Sequence, residues 1–226
     1  QSISSLSLSN LIYLEELRIH GNPIKSIDLS VLSQLSSLRV IDLSENSLES
    51  VNLSFGKKIN LREINLNQNN LIDLNGDFGD FPYLVNIDLG RNLIEMISSK
   101  TFVNLTNLEC LNLESNRITR IEPDAFRGLT NLEKLNLFKN EIKIIDASLL
   151  SDLYSLNRIS LSGNVLTKIM KNSFVSLNIQ ELELNNQMIV SIESGAIKNC
   201  QNLVRIDLNL NFLRRITPGF TTDLSN

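Results

Sequence analysis

The 226-residue chain is poor in the residue types that build most catalytic and metal sites. It contains one His, two Cys and no Trp, with nine Gly and four Pro. A His-based active site or a cage of metal ligands has almost no material here, so we expect no enzyme activity, no cofactor and no metal site. The net charge of −4 provides no basic footprint for phosphate groups, so nucleic acid is not an expected partner.

Long hydrophobic runs are also missing. The longest apolar run spans residues 11–14, far short of the roughly 20 residues that cross a bilayer. We therefore expect no membrane insertion of this segment. No signal peptide is visible at the start, so we expect any targeting segment to have been removed or never to have been present.

Leu, Ile and Asn are abundant instead, with 41, 25 and 30 copies. Such a bias indicates an internal repeat. The pattern Leu-x-x-Leu-x-Leu-x-x-Asn recurs at intervals of 23 or 24 residues, with Ile often replacing one Leu and Gln once replacing the Asn. The anchor residues of the nine units are Asn22, Asn46, Asn69, Asn92, Asn116, Asn140, Asn164, Gln187 and Asn211.

The repeat has a physical reason in each unit. Leu111 and Leu113 alternate and so point to one side of a strand. The apolar residues that follow complete one coil, which buries them only when coils stack. An Asn amide donates twice and accepts, so each anchor can bond within its own coil and to a neighbouring coil. We expect short parallel strands near Leu17–Ile19 and at the same phase onward, with helical turns only near Leu32 and Leu150.

Nine units in register resemble the leucine-rich-repeat family over essentially the whole chain. The repeat length and the Phe residues at 102, 126 and 174 are similar to the typical subclass, which is common in extracellular proteins such as Toll-like receptors. The resemblance implies an α/β-type repeat solenoid, a horseshoe with a parallel concave β-sheet, little helix and irregular convex loops. It implies one solenoid over residues 1–226, with about nine repeats plus a partial N-terminal one. Residues 75–83 break the pattern and are interpreted as an irregular convex loop.

The ends lack the Cys-rich caps that secreted members of this family usually carry. We interpret the chain as a fragment of a larger ectodomain; a naturally reduced protein and a trimmed chain are the alternatives. A solenoid without caps exposes core at its ends. Exposed core at Ile3–Leu11 and Val204–Leu224 predicts a homo-oligomer that forms through the uncapped ends.

The two cysteines and two sequons bear on the compartment. Cys110 is expected to face outward on the concave side, Cys200 to lie in the core, and the two to be too far apart for a disulfide. Asn52 and Asn104 begin glycosylation sequons at outward positions of the return loops. Two sequons are no more than the abundance of Asn, Ser and Thr gives by chance, so the expectation of a secreted glycoprotein rests on the resemblance.

The exposed positions of the strands form three columns on the concave face. The middle column is the residue between the second and third Leu positions of each unit. One flanking column lies just before the second Leu position, and the other lies just after the third. Phe138 is the only aromatic residue in these columns, and interface hot spots tend to be aromatic or Arg residues near the centre of a patch. A single exposed apolar residue without a role is the alternative. Acidic residues of the middle column, such as Asp42 and Asp88, are interpreted as a solvated stripe. The predicted partner-binding residues are Phe138, Lys134, Lys139, Arg158, Glu114, Asn112, Asn136 and Cys110.

These observations favour a non-enzymatic protein-recognition module. The resemblance implies an extracellular or cell-surface, innate-immune-receptor-like module that binds a protein or glycan partner on its concave face. An intracellular leucine-rich-repeat scaffold or assembly protein is the alternative, and it fits the unpaired thiols and the missing caps.

Overall fold

A computed structural model describes residues 11–27, 29–52, 60–74, 78, 81–99 and 101–222, with the side chain of Val31 left aside. Nine parallel strands of three residues each form one continuous sheet in chain order within these residues. The strands are Glu16–Arg18, Val40–Asp42, Glu63–Asn65, Asn86–Asp88, Cys110–Asn112, Lys134–Asn136, Arg158–Ser160, Glu181–Glu183 and Arg205–Asp207. The predicted repeat solenoid with a parallel concave sheet is confirmed.

Each strand begins one residue before the expected phase, and the central residue is buried in every strand except the last, Arg205–Asp207. In the middle of the sheet, Leu111 pairs with Leu135 in register, and both are buried. The parallel ladder continues past the strand ends, because the Leu113 N–H donates to the Asn136 carbonyl at 2.8 Å. Both apolar positions of the inner units are therefore fixed in the core by the same backbone pairing.

The core is a set of apolar columns that run along the stack. One column is aromatic: the rings of Phe78 and Phe102 lie 5.4 Å apart, and those of Phe102 and Phe126 lie 6.2 Å apart. Phe78 lies in segment 75–83, where the usual repeat pattern is broken. Its contact with the Phe102 ring shows that this unit also contributes to the aromatic column. Residues 75–77, 79 and 80 of that segment lie outside the described residues.

The asparagine column, defined by the nine repeat anchors, satisfies the backbone where each strand turns away. Asn116 donates to the Leu113 carbonyl of its own coil and to the Leu89 carbonyl of the preceding coil. Its Oδ1 accepts the Ile94 N–H at 3.0 Å. Gln187 keeps both contacts with the preceding coil, to the Leu161 carbonyl and the Leu166 N–H. The column is thus structural, as the sequence indicates.

In the described residues, the return segments carry short strands and two 3-10 helices, Leu29–Gln34 and Ala147–Leu150, close to the predicted positions. Within the described ranges, no helix has the length and apolar character to cross a membrane. The short outer strands are Met96–Ile97, Arg120–Ile121, Lys168–Ile169, Phe174–Val175, Ser191–Ile192, Ile197–Lys198 and Thr221–Thr222.

The predicted exposure of core at the ends is tested only in part. Ile206 and Leu208 at the core positions of the last coil are only half-buried, whereas the equivalent Leu135 and Leu137 are buried, which agrees with the prediction for the last coil. Ile3 and Leu224 lie outside the described residues. The homo-oligomer and the single-solenoid boundaries remain predictions.

Candidate functional site

The middle column of the concave face is not a solvated stripe, and this expectation was wrong. Asp42 is buried, and its Oδ1 accepts the Ser44 N–H at 3.1 Å and the Ser44 hydroxyl at 2.7 Å. Asp88 accepts the Gly90 N–H at 2.9 Å in the same way. Short Asp and Asn side chains favour this bond to the N–H two residues on. Much of the middle column therefore fixes the backbone where the strands end.

The predicted partner-binding residues Asn112 and Asn136 belong to this structural column. Asn112 accepts the Glu114 N–H and donates to Asp88 at 2.9 Å on the preceding strand. Asn136 accepts the Phe138 N–H at 3.1 Å and donates to Glu114 Oε2 at 2.9 Å. Their polar atoms are already bonded within the sheet, so the flanking columns are left to meet a partner.

Gly90 lies next to this hydrogen-bond network, where its missing side chain avoids close contacts with the neighbouring amides. A Cβ on Gly90 would lie 2.7 Å from Asn67 Nδ2 and 3.0 Å from Asn112 Nδ2. Both amides donate to Asp88 beside this gap. Gly90 is therefore favoured here by close packing against these amides and not by its backbone conformation, which is not left-handed.

Phe138 begins the turn at the end of its strand and is half-buried rather than fully exposed. The next residue, Lys139, has a φ of +52°, which turns the chain away from the sheet. Its Nζ lies 5.1 Å from the centroid of the Phe138 ring, within range of a cation–π interaction. The sequence predicts both Phe138 and Lys139 as partner-binding residues, and the turn at Lys139 explains how its side chain reaches the ring.

A groove of about 540 Å³ opens beside Phe138 across the last four strands of the sheet. Predicted residues Lys134, Asn136 and Arg158 line it together with Phe138. Sequence reasoning missed its remaining polar members, although they occupy the same three columns one to three strands further on. Those members are Ser160, Ser162, Glu183, Asn185 and Asp207.

Ion pairs cross the strands on one side of this groove. Arg158 Nη2 lies 2.9 Å from Glu183 Oε1. Burial raises the pKa of Glu183, but hydrogen bonds from Ser160 and Arg158, with the charges of Arg158 and Arg205, outweigh it and leave the pKa lowered. The carboxylate is thus held in its charged form by neighbouring strands.

Cys110 lies one strand away from the Phe138 groove, in a second groove of about 360 Å³ that also contains Lys134 and Asn136. It is half-buried, and burial raises the pKa of its thiol above the ordinary 9.0, with Lys134 opposing in part. Cys200 is fully buried, and both thiols are free. Glu114 and Asn112 line a further polar pocket with Asp88, so the structure divides the predicted set among neighbouring depressions.

The two sequon asparagines lie at exposed positions of the return segments. Asn52 and Asn104 are both exposed, as the sequence analysis expected. Asn104 adopts a left-handed φ of +68°, a conformation that Asn tolerates. Ser54, which completes the first sequon, lies outside the described residues.

Comparisons with known proteins agree with this geometry. A family model described as leucine rich repeat matches residues 12–71, 82–142 and 131–187, which is well over half of the chain. The chain belongs to the leucine-rich-repeat family. That family is generally a non-enzymatic recognition fold.

Several solved leucine-rich-repeat structures share the fold. Drosophila Toll in complex with Spatzle is 24% identical with a TM-score of 0.82, over 96% of this chain and 30% of Toll. TLR13 in complex with ssRNA13 is 25% identical with a TM-score of 0.73, over 93% of this chain and 34% of TLR13. The leucine-rich-repeat domain of APL1B is 20% identical with a TM-score of 0.78, over 96% of this chain and 60% of that domain. The chain thus spans about a third of Toll and TLR13, and a search of curated protein sequences found no match.

Proposed function

We propose that this chain is the partner-binding part of an extracellular or cell-surface receptor of the innate-immune type, and that it binds a protein or glycan on its concave face. The Phe138 groove carries the proposal, because there the aromatic side chain of the concave columns lies beside lysines that make no ion pair within the described residues. Fold similarity to Toll and TLR13 supports the receptor setting. Nine strands at about 4.8 Å give a strip of roughly 40 Å, enough for an interface of about 800 Å² per partner.

Protein or glycan is favoured over nucleic acid by the charge of the surface. TLR13 is seen with an RNA ligand, but this chain has a net charge of −4. The flanking columns carry acids such as Glu16, Glu63 and Glu181 among the bases. A phosphate backbone would meet repulsion over much of this strip.

The test is affinity capture on the immobilised chain from extracellular fluid of the source organism, comparing Phe138→Ser with Ile144→Ser. Both changes remove an apolar side chain from the same coil, but Ile144 lies in the return segment and is 70% exposed. A partner that is lost with Phe138→Ser and kept with Ile144→Ser supports the concave surface. A partner lost only with Ile144→Ser contradicts it.

An intracellular scaffold is the second candidate, and the free thiols favour it. Cys110 and Cys200 are unpaired, as is usual in reducing compartments. Mass spectrometry of the Asn52 and Asn104 peptides of the protein isolated from its source separates the two. Glycan at these asparagines in the native protein supports the extracellular proposal, and a precursor without a signal peptide or other membrane-targeting segment contradicts it.

A further inference from the structure

Two lysines at the Phe138 groove have no carboxylate partner in the described part of the chain. Lys134 lines the groove and makes no ion pair there. Lys139 lies at its edge, with Nζ 5.1 Å from the centroid of the Phe138 ring, and also makes no ion pair within the described residues. The acids around the groove are already engaged. Glu183 pairs with Arg158 at 2.9 Å, and Asp207 pairs with Arg205 at 3.3 Å.

The register of the sheet places like charges side by side at one end of the groove. In the backbone register, Lys134 lies directly opposite Arg158 on the neighbouring strand. Like charges directly opposite each other on adjacent strands destabilise a sheet. Arg158 is directed to the acids of the next strand, whereas Lys134 keeps an uncompensated charge. A carboxylate placed over this end would remove the repulsion and pair with Lys134.

The other end of the groove is apolar with a cation above it. Phe138 lies four residues after Lys134 on the same chain segment, which corresponds to about 13 Å in an extended backbone. Its ring is half-buried, and Lys139 covers part of it. An apolar side chain would bury the open part of this ring. An extended segment of about five residues spans both ends.

The polar groups between the two ends favour a peptide over a sugar. Asn136 is bonded to the Phe138 N–H and to Glu114, and the Ser162 hydroxyl donates to Asn185. Ser160 bonds to Glu183. A sugar needs several free donors and acceptors for its hydroxyl groups, and unmatched polar groups cost affinity. A carboxylate and an apolar side chain need only the free cations and the ring.

We infer that this groove binds an extended peptide segment of a partner protein, with an acidic side chain at Lys134 and an apolar side chain on Phe138. The inference rests on the proposed function, because it names the partner chemistry of the same concave face. Lys134 and Phe138 then determine specificity. The structural middle column supplies the rigid floor between them.

The test is NMR titration of the isotope-labelled chain with two synthetic peptides, acetyl-Gly-Glu-Ser-Gly-Ser-Leu-Gly-amide and its reverse-order counterpart, since either chain direction is possible on the strand. We expect shifts at the amides of Phe138 and Arg158. Replacing Glu by Gln in the peptide, or Lys134→Gln in the protein, should weaken binding about tenfold or more, as expected for a charged hydrogen bond. Lys143→Gln, an exposed lysine in the return segment of the same coil, is the matched control and should leave the affinity unchanged.

Other outcomes overturn the inference and stay distinguishable from failure of the proposed function. Equal affinity for the Glu and Gln peptides, or equal loss with Lys134→Gln and Lys143→Gln, would overturn carboxylate recognition. Binding of a heparin-derived tetrasaccharide but neither peptide at Phe138 would overturn the peptide and leave concave recognition standing. No shift on the concave face with any probe also overturns this inference, whereas the capture experiment with Ile144→Ser decides the proposed function.

Discussion

Adjacent residues in this fold have opposite roles, and Phe138 and Leu137 show this most clearly. Leu137 is fully buried, whereas Phe138 is half-buried under Lys139. Leu137→Ala should lower the free energy of unfolding by about 2–5 kcal/mol through the cavity it leaves. Phe138→Ala should cost about 1 kcal/mol, the scale of an exposed cation–π contact, yet weaken partner binding by at least about 2 kcal/mol.

Urea unfolding of both variants measures the stability part of this prediction without a partner. A midpoint for Phe138→Ala as low as that for Leu137→Ala would mean that the ring packs in the core. The concave surface would then lack its anchor. A small stability loss with unchanged partner binding would instead leave Phe138 as an ordinary surface residue.

The third residue after each strand of the concave sheet has a left-handed backbone, and the chain does not always use glycine there. Gln68 has a φ of +57°, while Gly163 has +70° at the equivalent position. A non-glycine side chain costs roughly 1–2 kcal/mol in this conformation. Gln68→Gly should therefore raise the free energy of unfolding by about 1 kcal/mol, offset in part by unfolded-state entropy.

Asn70→Gly is the control for that substitution, since Asn70 is equally exposed but has no left-handed φ. It should lower the stability by about 0.5–1 kcal/mol through the entropy of glycine. Thermal and urea unfolding of the two variants should shift in opposite directions. A loss of stability in both would show that the turn does not strain Gln68.

At the scale of single strands, the sequence repeat predicts the positions of the strands better than it predicts the roles of the residues on them. The strand positions follow from the Leu alternation, and the buried asparagine column follows from the spacing. The hydrogen bonds that Asp42 and Asp88 accept from the backbone two residues on could not be predicted from the repeat pattern. The pattern places an acid on the strand but does not show whether its side chain faces water or bonds to its own backbone. A local signal exists, since Asp, Asn or Ser two residues before the end of the ladder favours this bond.

The groove was only half predictable for a related reason. Phe138 stands out as the single aromatic residue of the concave columns, and Lys139 is its neighbour in sequence. Which arginine pairs with which acid depends on side-chain reach between strands, and no repeat spacing encodes it. Phe78 was missed because the segment around it lacks the usual spacing, so only the aromatic stacking reveals its place.

The pairing of strands predicts a pH dependence of stability. The pKa of Glu183 is lowered in the folded state, against an ordinary value of about 4.3. Its contribution is present above the unfolded pKa and is lost as the pH falls through the folded pKa. Glu183→Gln should therefore be less stable than the native chain at pH 7, and the difference should shrink on acidification towards pH 3.

Urea unfolding at several pH values between 7 and 3 measures this difference. Glu181→Gln serves as the control, since its carboxylate lies 4.0 Å from Arg158, compared with 2.9 Å for Glu183, and it should change less. A constant difference between native and Glu183→Gln across this range would show that the ion pair does not contribute.

At the scale of the whole molecule, each coil contacts its neighbours through the same set of bonds, so coils should be interchangeable units. The Val85 carbonyl accepts the N–H groups of Glu109 and Cys110, and the Glu109 carbonyl accepts those of Glu133 and Lys134. Deleting residues 109–132 joins Leu108 to Glu133 at the same phase. We expect the Val85 carbonyl then to accept from Glu133 and Lys134, which keeps the Phe138 groove intact.

That deletion should therefore leave a folded chain with one coil fewer. Its far-UV circular dichroism should keep the native shape, and its urea m-value should fall by roughly a tenth, because m scales with the surface exposed on unfolding. Deleting residues 109–120 instead removes half a coil and brings the return segment to the place of a strand, so every apolar column breaks. This half-coil variant should be unfolded. If both deletions unfold the chain, the coils depend on individual side chains such as Phe126 more than on the shared pattern, and the description of this solenoid as a stack of equivalent units is wrong.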